Sequence, residues 1–199
     1  MAHQTIDRPV DAAVSPKAVS ALQSAISGAL LRPLDSGYDS ARRVFNAMID
    51  RRPALIARCA RVADVIHGVN FARENGLALS IRGGGHSVAG DAVCDGGLML
   101  DLSQLKAVQV DPVDRIARAQ PGLTLGELDA ATQGFGLATP LGVVSMTGIA
   151  GLRRRTAGFD RTRVRPARLF PATPAPGSPP RPGVSCSLGQ RLPWDFEHH

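Results

Sequence analysis

Three consecutive glycines, Gly83-Gly84-Gly85, stand between an apolar run at Leu77 to Ile81 and a second at Leu98 to Leu102, with Arg82 before them and His86-Ser87 after. A backbone without Cβ atoms can take positive φ and turn successive N–H groups toward one point. The segment therefore predicts an anion-holding loop with an imidazole at its end.

The residues leading into the loop predict a strand-helix-strand passage. Ala54 to Cys59 reads as a strand. Val62 to Asn75 reads as a helix with Val62, Val65, Ile66, Val69 and Ala72 on its buried face and Gly76 as its stop. Leu77 to Arg82 follows as a second strand, so the glycines leave from a strand end, where ligand sites gather in α/β units. Upstream, Val19, Leu22, Ile26 and Leu30 recur at helical intervals and predict a helix over Pro16 to Leu31, and Asp39 to Arg51 reads as one or two further helical turns.

Downstream, Leu98 to Leu102, Ala107 to Asp111 and Arg115 to Ala119 predict three short strands forming a meander, with Asp111-Pro112-Val113-Asp114 as a turn. Thr124 followed three residues later by Glu127 has the form of a capping box, opening a helix that ends near Gly134. Thr139 to Gly151 is small and glycine-rich.

After Leu152 the composition changes. Residues 153 to 199 hold 8 of the 15 prolines, no lysine, and the whole net charge of +6, since residues 1 to 152 balance to zero. Such a stretch is expected to be unstructured. Its arginines admit a nucleic-acid tether, but the lack of lysine argues against one. No run reaches the ~20 apolar residues of a membrane span, and Met1 to Pro9 lacks an apolar leader core, so a cytoplasmic protein is expected. Cys59, Cys94 and Cys186 fit neither a disulfide framework nor a zinc site. His86 with Asp91, Cys94 and Asp95 lacks a ligand spacing, so no metal is expected. The residues after Gly85 depart from the GxGxxG dinucleotide fingerprint.

Taken in order, Ile81 to Gly90, Cys94 to Ser103, Asp50 to Ile56, Phe71 to Gly76 and Gly136 to Gly151 resemble the FAD-binding domain of FAD-linked oxidases of the vanillyl-alcohol oxidase and p-cresol methylhydroxylase (PCMH) superfamily. The branch is that of berberine bridge enzyme-like and 6-hydroxynicotine oxidase-like flavoproteins. The resemblance covers about residues 30 to 152.

It implies an α+β fold, an incomplete PCMH-type FAD-binding domain in which the strand-helix-strand unit is followed by a mixed sheet and a disordered tail. Residues 1–50 are then an N-terminal helical segment, 51–152 the partial FAD-binding domain, and 153–199 the tail. The implied cofactor is FAD, held by Arg82, Gly83, Gly84, Gly85, His86, Ser87 and Gly90 and by Pro140, Gly142, Ser145, Thr147, Gly148 and Ile149. The glycine loop takes the pyrophosphate, and His86 is the implied covalent attachment point to the 8α methyl of the isoalloxazine. The position where some members carry a second attaching cysteine is Val144.

The resemblance assigns no catalytic base within this chain; the family's substrate domain, which acts on small molecules, has no recognisable counterpart after Leu152. The Arg/Pro-rich tail resembles a coding region read out of frame, so the chain is expected to be a truncated or frameshifted remnant of an FAD-linked oxidoreductase. A non-catalytic flavin or anion module is the alternative. Neither substrate nor oligomeric state is legible.

Overall fold

The computed structural model describes residues 14–151, 167–168 and 170–171. Helix α1 (Pro16–Ala25) begins where the Ser15 hydroxyl accepts the N–H of Ala18 at 3.2 Å, with Pro16 in the first turn. It does not run to Leu31 as its apolar spacing predicts. The N–H groups of Ser27 and Gly28 donate to the Asp64 carboxylate at 2.9 and 3.2 Å, drawing the chain out of the helix. Ala29–Leu31 becomes strand β1. Helix α2 (Tyr38–Arg42) is a single turn, shorter than the predicted 39–51, and the chain beyond it is irregular up to β2 (Leu55–Arg58).

From β2 the predicted passage appears: α3 (Val62–Glu74), then β3 (Leu79–Arg82) and, after the glycine loop, β4 (Leu98–Asp101). The sheet order is β1-β2-β4-β3, with β4 parallel to both β2 and β3 and β1 antiparallel at the edge. β4 is thus the centre of the first sheet rather than the first strand of a meander. All four of its residues are buried, and its apolar run Leu98-Met99-Leu100 is what a strand covered on both faces requires. Burying each of these side chains contributes about 1.5–3 kcal/mol. Leu98 and Leu100, with Leu55 and Ala57, face Val19, Leu22, Phe71 and Ala72. Ile56 and Met99 face Tyr38, Ala41 and Val93 on the other side.

The buried face of α3 also differs from its expected one. Val62 and Ile66 are 61% and 57% exposed, while Asp64, Gly68, Phe71 and Ala72 are buried. The cause is Gly68, which meets the sheet so closely that a Cβ there would lie 2.5 Å from Leu100 Cδ2. That approach rotates the helix about its axis and leaves three valine and isoleucine positions outside.

The second unit begins with the hairpin β5 (Val108–Asp111) and β6 (Ile116–Ala119), closed by Asp111 Oδ1 accepting the N–H groups of Val113 and Asp114 at 3.0 Å each. Helix α4 (Leu125–Gln133) carries the predicted capping box: Glu127 Oε2 accepts the Thr124 N–H at 2.8 Å, and the Thr124 hydroxyl accepts the Glu127 N–H at 3.4 Å. Strand β7 (Leu137–Ala138) follows. The short strands β8 (Ala167–Arg168) and β9 (Phe170–Pro171) pair with β6 and β7, so these four residues depart from the unstructured tail expected there. The remainder of that expectation, and the out-of-frame reading, lies outside the described residues. A second core of Ala117, Leu123, Leu125, Leu128, Leu137 and Ile149 holds this unit together.

Candidate functional site

The glycine loop leaves the first sheet where β2, β3 and β4 end together. There Arg58, Asp101 and Arg82 stand in register. The buried Asp101 carboxylate lies 3.5 Å from Arg82 Nη1 and 3.6 Å from Arg58 Nε and accepts the Ser103 N–H at 3.1 Å. Arg82 Nη1 also donates to the Ala41 carbonyl at 3.0 Å. Arg82 thereby fixes the strand end from which Gly83 departs, while its Nε, beside Gly85, is buried without a hydrogen-bond partner among the described residues.

Among the described residues, none of the backbone N–H groups of Gly83, Gly84, Gly85, His86 and Ser87 donates to another protein group. Five consecutive unengaged donors in a half-buried loop call for an external acceptor, and an anion serves best. Gly85 takes φ +69°, the left-handed conformation that a side chain disfavours. The following turn is closed by Gly90 N–H to Ser87 O at 3.2 Å, and Gly90 packs against Ile49 rather than opening to solvent.

The opposite wall comes from the second unit. Residues 145–149 are sutured to the start of α4: Leu125 N–H donates to Thr147 O and Gly126 N–H to Ser145 O, both at 2.9 Å, and Ile149 N–H to Leu123 O at 3.0 Å. This brings Gly148 against Gly84. A Cβ on Gly84 would lie 2.3 Å from the Gly148 nitrogen, and one on Gly83 would lie 3.2 Å from the Pro121 carbonyl oxygen. The structure therefore unites the glycine loop with Thr147 and Gly148. Ser145 is exposed beside them. Pro140 and Gly142 lie on the exposed 139–144 loop, and the Ile149 side chain is buried in the second core.

A third segment went unrecognised in the sequence. Residues 44–51 form a strap over the loop: Phe45 N–H donates to Gly85 O and Asn46 Nδ2 to Val88 O, both at 2.9 Å. Arg51 Nη1 donates to the carbonyls of Gly90 and Val93 at 3.1 Å each. The Phe45 ring stacks on His86 with centroids 4.4 Å apart and planes 15° from parallel, a contact worth about 0.5–1.5 kcal/mol beyond its area. Neither ring nitrogen of His86 has a hydrogen-bond partner among the described residues. Exposed Met48, Val88, Val143 and Met146 give the segments bordering the loop an apolar rim. Donors for an anion, an unengaged imidazole and an apolar rim suit a ligand with a phosphate part and a flat aromatic part.

Comparison with known proteins identifies such a ligand. The family described as FAD binding domain matches residues 53–162, more than half of the chain. The (R)-6-hydroxynicotine oxidase of Paenarthrobacter nicotinovorans is 38% identical over 127 residues, which are 64% of this chain and 28% of that protein. Among solved structures, the BBE-like 1 protein of Physcomitrella patens superposes with a TM-score of 0.64 at 28% identity, over 67% of this chain and 29% of its own. The xylooligosaccharide oxidase of Myceliophthora thermophila C1, solved with xylobiose, gives 0.62 at 27% identity, over 67% and 29%. The chain thus spans under a third of the length of these relatives.

Proposed function

We propose, for a chain that belongs to the FAD binding domain family and so takes FAD as its cofactor, that the N–H groups of residues 83–87 hold the pyrophosphate while Thr147, Gly148 and Ser145 close the opposite side. The observation that carries this reading is the convergence of the loop after β3 and the 145–149 segment bound to the start of α4 at the Gly84–Gly148 contact, next to five unengaged donors. Residues 51–152 supply this unit, and the N-terminal segment contributes the strap.

His86 is the attachment residue in this reading. With FAD bound, His86 would supply an imidazole nitrogen as the attaching nucleophile and release its ring proton; a flavin methyl would lose a second proton, and dioxygen would take up both protons and two electrons as hydrogen peroxide. Bound FAD supplies a two-electron acceptor. The reaction class is oxidation of a small organic substrate at a C–H, C–N or alcohol carbon, a class supported by relatives named as oxidases of hydroxynicotine and xylooligosaccharide. We extend the reading to a cytoplasmic setting, on the ground that Cys59 and Cys94 are both free thiols.

Acid precipitation of the purified chain after incubation with FAD tests this. Yellow colour retained in the pellet of the wild type and lost from that of His86→Ala is the expected result. Protein that stays colourless with FAD overturns the cofactor site, and colour released entirely to the supernatant overturns the attachment.

A further inference from the structure

The strap grips the loop on both sides of His86. One residue before it, Gly85 O accepts the Phe45 N–H; two residues after it, Val88 O accepts the Asn46 amide. The Asn46 amide is held in the orientation this needs, because its Oδ1 accepts the Met48 N–H at 3.1 Å, leaving Nδ2 to face Val88. The strap is itself anchored, with Val44 and Ile49 packed on the core of Tyr38, Ala41, Ile56, Val93 and Met99. Between the two hydrogen bonds the Phe45 ring lies on one face of the imidazole, 15° from parallel. A stacked neighbour removes the freedom of the His86 ring to turn about its Cβ–Cγ bond, yet leaves both in-plane nitrogens uncovered. Phe45 remains 63% exposed, so it is the stack on His86 rather than core burial that holds its ring.

We propose that Phe45 and Asn46 are positioning residues that set the plane of the His86 imidazole and so determine how readily His86 attaches FAD. The proposal rests on the reading of His86 as the attachment residue. Bond formation between a nitrogen lone pair and a bound carbon is steeply sensitive to aim, and misplacement by about 1 Å costs roughly a hundredfold in rate.

The test uses the full 199-residue chain and two readouts. The first is the rate at which added FAD becomes acid-stable, compared with the affinity for FAD before attachment. Phe45→Ala should slow attachment roughly ten- to a hundredfold while holding that affinity within about threefold, and Phe45→Trp, which keeps a stacking face, should restore the rate. Asn46→Ala should slow it less, since the stack survives. Unchanged attachment in Phe45→Ala overturns the proposal, as does a parallel loss of affinity, which would make Phe45 a ligand contact.

The second readout needs no flavin. In the apo protein the ring-current field of Phe45 should displace the His86 ring-proton resonances, with the displacement lost in Phe45→Ala and kept in Phe45→Trp. Undisplaced resonances in the wild type overturn the positioning role. Displaced resonances with no acid-stable flavin in the wild type uphold the positioning role and count against the attachment reading alone.

Discussion

Gly84 and Gly148 lie backbone to backbone, and a Cβ on either would sit 2.3 Å from the nitrogen of the other. The contact joins the loop after β3 to the segment ahead of a helical turn that opens at Ile149, two stretches more than sixty residues apart. Neither side is a flexible side chain that could yield, since each obstacle is main chain already bound to its own unit. The distance between the two walls of the site is therefore set by the absence of two methyl groups.

Gly84→Ala and Gly148→Ala should each force the units apart, at a cost of about 2 kcal/mol in the range for overpacking. For a chain of this size that is roughly 4–8 °C in Tm, read by thermal unfolding. Gly134→Ala is the control. That residue is in the right-handed helical region, and the nearest atom to an added Cβ is 3.6 Å away. It should be neutral or gain up to about 1 kcal/mol. Equal Tm shifts in all three variants would mean that the contact does not set the spacing.

Acid should expose the role of Asp64. Burial by itself would raise its pKa, but the backbone N–H groups of Ser27, Ala60, Arg61 and Gly28 outweigh this and hold it below the ordinary 3.8. A carboxylate with a lowered folded pKa stabilises fully above its unfolded value, and that stabilisation disappears as pH falls below 3.8 through the folded pKa. Asp64→Asn should cost about 2–3 kcal/mol at neutral pH, the scale of hydrogen bonds to a buried charge. Denaturant unfolding should find the two proteins converging in stability as pH falls below 3.8; a constant difference would show that the charge is not the source.

Thr124 serves two structures at once. Its side chain caps α4, and its backbone bridges to Gly148. Thr124→Ala should cost about 1 kcal/mol, as N-cap losses do. Glu127 is held below its usual range by Lys106 first and then by the Thr124 N–H, so its contribution also fades in acid. Being partly exposed, the Lys106–Glu127 pair should contribute under about 1 kcal/mol, and Lys106→Met should cost correspondingly little. A larger loss in Lys106→Met than in Thr124→Ala would reverse this order.

The parts of the molecule that were legible in the sequence are those whose signals are local. The Thr124–Glu127 box, the Asp111 turn and the strand-helix-strand passage into the glycines all follow from spacing within a dozen residues. β1 was not legible, because Ile26 and Leu30 fit a helical period and the group that breaks the helix, Asp64, lies 36 residues away from Gly28. The buried face of α3 differs for a related reason: its five periodic apolar residues share one arc, and the close approach of Gly68 to Leu100 turns a neighbouring face, with Asp64, Phe71 and Ala72, to the sheet. The strap at 44–51 shows no period, since Val44, Phe45, Asn46 and Ile49 are each specified by a different partner on the loop or in the core. Nothing near them in sequence announces those partners.

The five unengaged N–H groups make a prediction about which part of the cofactor supplies affinity. If residues 83–87 hold a pyrophosphate, FAD should bind far more tightly than riboflavin, which has the same ring system and no phosphate. Hydrogen bonds to a charged acceptor are worth about 1.5–3 kcal/mol each, so two effective bonds already give a preference of more than a hundredfold. The preference should fall as salt rises and should collapse in Gly84→Ala, in which the loop is displaced, while the weak riboflavin affinity changes little. Titration followed by the quenching of flavin fluorescence measures all four constants. Comparable affinities for FAD and riboflavin in the wild type would move the binding energy from the glycine loop to the apolar rim around Met48, Val88 and Met146, and would leave the five donors without a ligand.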